Sequence, residues 1–148
     1  MERTNETCEE RIRRSLCEEV DVIRKLWDLE KAGDENGDPD HGTLNEYGLC
    51  FDYVAAGTFN LSIRLSMLPD PKTGYFLWQL STGGPGDEFR FYCDPAFSLD
   101  RVEYVFLDWY DGATVKLDGA DLDLLREIWE NYFREVLDLA GMVAMATK

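Results

Sequence analysis

The chain has 148 residues, of which 45% are apolar and 13% aromatic, a size and composition typical of one folded domain over 1–148. Thirty Asp and Glu residues against fifteen Lys and Arg give a net charge of −15, which disfavours direct binding to nucleic acid. No apolar run approaches the roughly 20 residues of a membrane span, and the first residues lack the apolar stretch of a secretory signal. We therefore expect a cytoplasmic protein that does not contact a membrane.

The cysteines are widely separated and form no CxxC pair, which argues against a zinc ribbon and against a thioredoxin-type redox motif. They are Cys8, Cys17, Cys50 and Cys93. We expect reduced thiols, because a cytosolic compartment keeps thiols reduced. Nothing in the sequence predicts a cofactor.

The first segment, 1–32, has the periodicity of an amphipathic helix. Its apolar residues recur every three or four positions and charged residues fill the other face; the apolar set is Ile12, Leu16, Val20, Ile23 and Trp27. Gly33 is typical of a helix end, and 34–42 (DENGDPDHG) has the composition of a loop.

The middle of the chain, 44–113, changes to the alternating pattern of strands. The predicted strands are Asn45–Val54, Tyr75–Ser81, Glu88–Cys93 and Arg101–Trp109. Three glycines and a proline between the second and third predict a hairpin. The insertion 55–74 is too long for a turn, and its apolar stretch, Leu61–Leu68, suits either an extra edge strand or a short helix.

The last predicted element is a helix over 118–140, with 141–148 expected to fray. Strands gathered between two terminal helices favour an α+β fold rather than alternating βαβ units. We predict a central antiparallel sheet of three to five strands with both helices on one face, a two-layer sandwich. The alternative is a strongly curved sheet with the helices on opposite sides.

The acidic loop resembles a calcium-binding loop only in part. Asp34, Asn36, Asp38 and Asp40 follow the spacing of the first EF-hand ligands. However, a proline takes the place of the required glycine, the bidentate Glu at the end is missing, and a strand follows rather than a helix. We therefore expect no metal there. The only histidine, His41, lies in this loop, where exposure is expected rather than catalysis.

The charge is unevenly distributed. Residues 1–32 carry a net charge of −2, so most of the excess falls on 33–148, and eleven acids accompany four bases between Asp100 and Asp138. On the predicted last helix, Asp123, Glu127 and Glu130 share a face at offsets of four and seven. Carboxylates held in this way can imitate the phosphates of a duplex, which carries one charge per roughly 1.7 Å of axis.

The strand block (YGLCFDYVAAGTF, GYFLWQLSTGGPGDEFRFY and RVEYVFLDWYDGA) resembles a family of small acidic proteins carried on conjugative plasmids and integrative elements. The resemblance covers about half of the chain, 44–113. It implies a role beside transfer functions and defence-evasion factors, such as antirestriction or anti-CRISPR proteins. No residue roles follow from it.

The leading hypothesis is a non-enzymatic inhibitor that binds the basic surface of a nucleic-acid-handling host defence factor, without touching nucleic acid itself. Its expected contact residues are Asp123, Glu127 and Glu130 on the last helix and Asp34, Asp38 and Asp40 in the loop.

Two alternatives remain open. One is a small enzyme with a pocket of carboxylates and aromatic rings; its candidate residues are Asp52, Trp78, Tyr92, Asp108 and Trp109. The other is a homo-oligomeric interaction module, such as a homodimer. Alternation places Glu88, Arg90 and Tyr92 on one side of their strand, and we expect that side to face outward.

Overall fold

A computed structural model describes residues 7–58, 63, 68, 72–82, 85–108 and 110–147. Helix α1 (Cys8–Lys31) comes first and is followed by a short 3₁₀ turn (Leu44–Glu46). The strands are β1 (Cys50–Val54), β2 (Tyr75–Ser81), β3 (Gly86–Cys93), β4 (Leu99–Asp108) and β5 (Asp111–Lys116). Helix α2 (Gly119–Ile128) continues through a π-helical turn (Trp129–Phe133) and an α-helical turn (Arg134–Val136), and α3 (Leu139–Ala146) follows.

Helix α1 ends at Lys31, as its periodicity predicts, but it begins at Cys8, later than the predicted start; residues 1–6 lie outside the described part of the chain. Thr7 caps its start, with the side chain accepting a hydrogen bond from the backbone N–H of Glu10. The apolar stripe, including Leu16 and Ile23, is buried, and each such side chain contributes roughly 1.5–3 kcal/mol to folding. Gly33 follows the helix with a φ of 74°, a left-handed conformation that ends helices at glycine with little strain.

The five strands form one antiparallel sheet in the order β1-β2-β3-β4-β5. The predicted hairpin between β2 and β3 is confirmed, with Trp78 opposite Phe89. The first strand begins at Cys50 rather than Asn45, because the residues before it form the 3₁₀ turn and because Gly48 has a φ of 87°. The sequence did not predict β5; the chain reverses at Tyr110, which has a φ of 61°, and Asp111 already belongs to a strand.

The helices and the sheet form the predicted two-layer sandwich. Side chains of α1 contact β4, where the Ser15 and Tyr104 hydroxyls lie 2.8 Å apart. The π-helical turn packs on the same face, where the Trp129 and Phe91 rings stack with their centroids 5.2 Å apart. One hydrophobic core therefore extends from α1 to α3 on one side of the sheet.

The end of the chain differs from prediction. The predicted single helix over 118–140 contains the π-helical turn, and it stops at Leu137, whose backbone is extended. The tail is not frayed, because α3 runs to Ala146. The Asp138 side chain caps α3 by accepting a hydrogen bond from the backbone of Gly141, and the buried Leu139 anchors it.

The other face of the sheet also differs from prediction. Glu88, Arg90 and Tyr92 share a face as expected, but they are 4%, 6% and 7% exposed and so do not face solvent. The Arg90 Nε donates to Glu88 Oε2 at 2.9 Å, which pairs the two buried charges. In the insertion, the proposed strand or helix at 61–68 lies outside the described residues except for Ile63 and Leu68, of which Ile63 is fully buried.

Candidate functional site

The three predicted contact residues near the end of the chain are all exposed. Asp123 and Glu127 lie one turn apart on α2, but Glu130 lies in the π-helical turn, where ideal α-helical offsets no longer hold. Glu127 is held by α1, because its Oε2 accepts a hydrogen bond of 3.0 Å from the indole N–H of Trp27 and lies 3.8 Å from the ammonium group of Lys31. The three acids are therefore exposed on neighbouring turns, but the π-helical turn breaks their regular spacing and Lys31 partly neutralises Glu127.

The loop acids do not form one exposed group. The Asp38 side chain is buried; its oxygens lie 2.6 Å from Lys25 Nζ and 2.9 Å from His41 Nδ1. These two contacts hold the pKa of Asp38 well below its usual range, and the contact with Lys25 has the larger effect. Asp38 is thus buried and paired within the chain, whereas Asp40 is exposed and Asp34 is half-buried.

The predicted pocket of carboxylates and aromatic rings is not assembled. The strand register pairs Asp52 with Leu77, so Asp52 and Tyr92 lie on one face of the sheet. Trp78 lies on the opposite face. Asp108 lies at the end of β4, 3.0 Å from the guanidinium of Arg11. Trp109 lies outside the described residues. The four described side chains of this set therefore do not converge on one cavity.

A different cavity brings carboxylates together between α1 and the β2–β3 hairpin. Its volume is about 340 Å³. The polar groups of its lining are Ser15, Glu18, Glu19, Tyr47, Ser81 and Asp87. No Lys, Arg or His is among the described residues that line it.

Hydrogen bonds engage most of this polar lining. The Asp87 carboxylate accepts from the Ser81 hydroxyl at 2.5 Å and from the Tyr104 hydroxyl at 2.6 Å. Tyr47 donates to Glu19 Oε1 at 2.6 Å. Glu19 and Asp87 line the same cavity. Two carboxyl groups can share a hydrogen bond only when one of them carries a proton, and because Asp87 already accepts from two hydroxyls, Glu19 is the group that would carry it.

The surroundings of Glu19 favour the protonated form of its carboxyl group. Burial and the hydrogen bond to Asp87 raise the pKa of Glu19 from 4.5 to about 8. Burial and the acidic neighbours also raise the pKa of Tyr47 and of Tyr104 above the usual tyrosine range. At neutral pH Glu19 therefore keeps its proton inside the cavity, beside the Asp87 carboxyl group, and can exchange that proton with a bound group.

Sequence reasoning missed Glu19 and Asp87, although a signal existed. Glu19 follows Leu16 by three positions and precedes Ile23 by four, so it interrupts the apolar stripe of α1. Asp87 alternates with Phe89 and therefore points to the helix-covered face of the sheet. A carboxylate at a position that faces the core predicts that some buried group pairs with it. The sequence does not say which group that is.

Two of the thiols are held in their protonated form. All four cysteines are free, and burial raises the pKa of Cys8 to about 12 and that of Cys93 to about 11. Within the described part of the chain, no group of three or more His, Cys, Asp or Glu residues is placed to hold a metal ion. None of the described helices is both long and apolar enough to cross a membrane.

Comparison with protein-family models, with curated proteins and with solved structures finds no match for this chain.

Proposed function

We propose that this chain is a non-enzymatic acidic inhibitor, encoded by a mobile genetic element, that binds the basic surface of a nucleic-acid-handling host defence factor. It would act as anti-CRISPR or antirestriction proteins do, by offering carboxylates where the partner expects phosphates. The contact lies on the exposed acids of α2 and the following turn, with Asp34 and Asp40 as the next candidates.

The observation that carries this proposal is that acids outnumber bases two to one, while several of the bases are already in ion pairs with acids of the same chain. These pairs engage Arg11, Lys25, Lys31, Arg90 and Arg101. The excess acids include exposed carboxylates such as Asp123 and Glu130. Such a surface attracts basic clefts and repels nucleic acid.

Rigid placement supports a role in recognition. The Trp27 indole and the Lys31 ammonium group fix the Glu127 carboxylate, so less conformational freedom is lost when a partner binds. Exposed carboxylates of this kind mainly accelerate encounter, and salt screens them beyond about 8–10 Å. The contact should therefore weaken steeply between low and physiological salt.

Affinity capture from a bacterial lysate tests the proposal. The wild type is compared with a triple variant (Asp123→Asn, Glu127→Gln, Glu130→Gln) and with a control that loses the same charge elsewhere (Asp52→Asn, Asp100→Asn, Glu135→Gln). We expect a basic nucleic-acid-binding protein on the wild type and control at low salt, and less on the triple variant. The purified partner should then lose duplex DNA when the wild-type chain is added.

The triple variant should fold, because Glu127→Gln keeps an acceptor for the Trp27 indole and because exposed substitutions usually change stability by about 0.5 kcal/mol or less. Retention that ignores salt, or that recovers only acidic partners, would refute the proposal. If the folded triple variant kept its affinity, the acids of the last helix would not be the contact, and Asp34 and Asp40 would be the next residues to test.

A further inference from the structure

The cavity between α1 and the β2–β3 hairpin is rich in hydrogen-bond acceptors and poor in free donors. The hydroxyls of Tyr47, Ser81 and Tyr104 already donate to carboxylates. Glu18 adds a further exposed carboxylate to the lining. A bound group that satisfies the remaining oxygen lone pairs must therefore bring its own N–H donors, and a positive charge would offset the acids.

The apolar part of the lining suits an alkyl stem. Leu80, Pro85 and Phe106 line the cavity beside the polar groups, and Leu80 and Phe106 are almost fully buried. The Phe106 ring already receives one cation, because the Arg11 guanidinium lies 4.8 Å from its centroid. The cavity thus combines apolar side chains with carboxyl groups. A long side chain with a cationic end can pack its methylene groups on the first and place its charge beside the second.

We propose that this cavity receives one cationic side chain, the guanidinium of an arginine or the ammonium of a lysine, from the basic surface of the partner. The inference rests on the proposed function, since it names the group by which such a partner is anchored. The cation lies between Glu19 and Asp87. Its N–H groups donate to both carboxyl groups and replace the proton of Glu19.

The exchange is balanced in charge. A protonated Glu19 and a cation go to an ionised Glu19 paired with that cation, and one proton leaves to solvent. The groups that face this proton are Asp87 on β3, Tyr104 on β4, Tyr47 before β1, and Glu18 and Ser15 on α1. Because binding releases a proton, affinity should rise by up to about tenfold per pH unit while Glu19 is protonated, and level off once it is ionised.

Small probes test this directly on the full chain. N-acetyl-arginine amide is titrated against the uncharged isostere N-acetyl-citrulline amide at pH 6, 7, 8 and 9, with side-chain NMR shifts of Tyr47 and Tyr104 as the readout. We expect the arginine probe to bind more tightly as pH rises and the citrulline probe to bind at least tenfold more weakly.

Two variants complete the experiment. Glu19→Gln keeps an acceptor for Tyr47 and a donor for Asp87, so it should fold, lose about tenfold in affinity for the arginine probe at pH 8 and lose the pH dependence. Asp21→Asn removes an exposed charge from the same helix and should change neither. Equal binding of the citrulline probe, as an acid–base enzyme pocket for neutral substrates would show, overturns the inference.

The two proposals fail in different ways. If the captured partner binds the Glu19→Gln variant and the wild type equally, but not the triple surface variant, the cavity is not the anchor and the proposed function stands. If the arginine probe binds with the expected pH dependence while capture yields no basic partner, the cavity binds a cationic side chain as inferred, but its assignment to such a partner and the proposed function are both overturned.

Discussion

The Glu19→Gln variant should be more stable than the wild type at neutral and alkaline pH. In the folded chain Glu19 keeps its proton up to a pKa of about 8, whereas its ordinary value is 4.5. Folding therefore takes up a proton between these two values, and the unfolding free energy of the wild type falls as pH rises through that window. A glutamine mimics the protonated form, so the variant does not lose this contribution.

The size of the effect follows from the same difference in pKa. One pKa unit corresponds to about 1.4 kcal/mol, but Glu19 is only half-buried and solvent at the cavity mouth screens much of the interaction. We therefore expect the variant to gain about 2 kcal/mol over the wild type between pH 5 and pH 8, less than half of the unscreened value.

Urea unfolding followed by tryptophan fluorescence at pH 5, 6, 7, 8 and 9 measures the difference. The two proteins should have similar unfolding free energies at pH 5 and should separate progressively up to pH 8. Asp21→Asn, an exposed change on the same helix, should follow the wild type. If the Glu19→Gln and wild-type curves stay parallel across the whole range, Glu19 does not hold a proton in the folded chain.

Three further outcomes follow from the contacts. Trp129→Phe should cost about 2–3 kcal/mol in urea unfolding, since it empties part of the core and removes the 3.0 Å hydrogen bond from the indole to Phe97 O; a loss below about 0.5 kcal/mol would contradict that packing. Asp38→Asn should lower the thermal midpoint at pH 7, because Lys25 and His41 lose their ionised partner; an unchanged midpoint would mean that the loop does not depend on this pair. Tyr92→Ala should lower stability without changing the mass measured by light scattering, because Tyr92 is already buried within the chain; a dimer that dissociates on this change would instead support the homo-oligomeric alternative.

The sequence determined the elements whose burial repeats with a local period. Strand β2 begins and ends where its pattern predicts, and helix α1 ends where its pattern predicts, because side chains three to four positions apart share a helix face and alternate ones share a strand face. The order of the elements, with the strands between two terminal helices, predicted both helices on one face of the sheet. Periodicity could not locate β5, whose short segment DGATVK lacks a long alternating pattern and depends on pairing with β4.

Only the tertiary structure decided which charges meet. Glu19 and Asp87 come from distant parts of the chain, and they share a cavity because α1 packs on β4 and β5, beside the strand that carries Asp87. The same holds for Glu88 and Arg90: alternation gives them a common face, but whether that face is buried depends on what packs against it. Periodicity records which residues lie on one side of an element, whereas burial and protonation depend on contacts made across the whole fold.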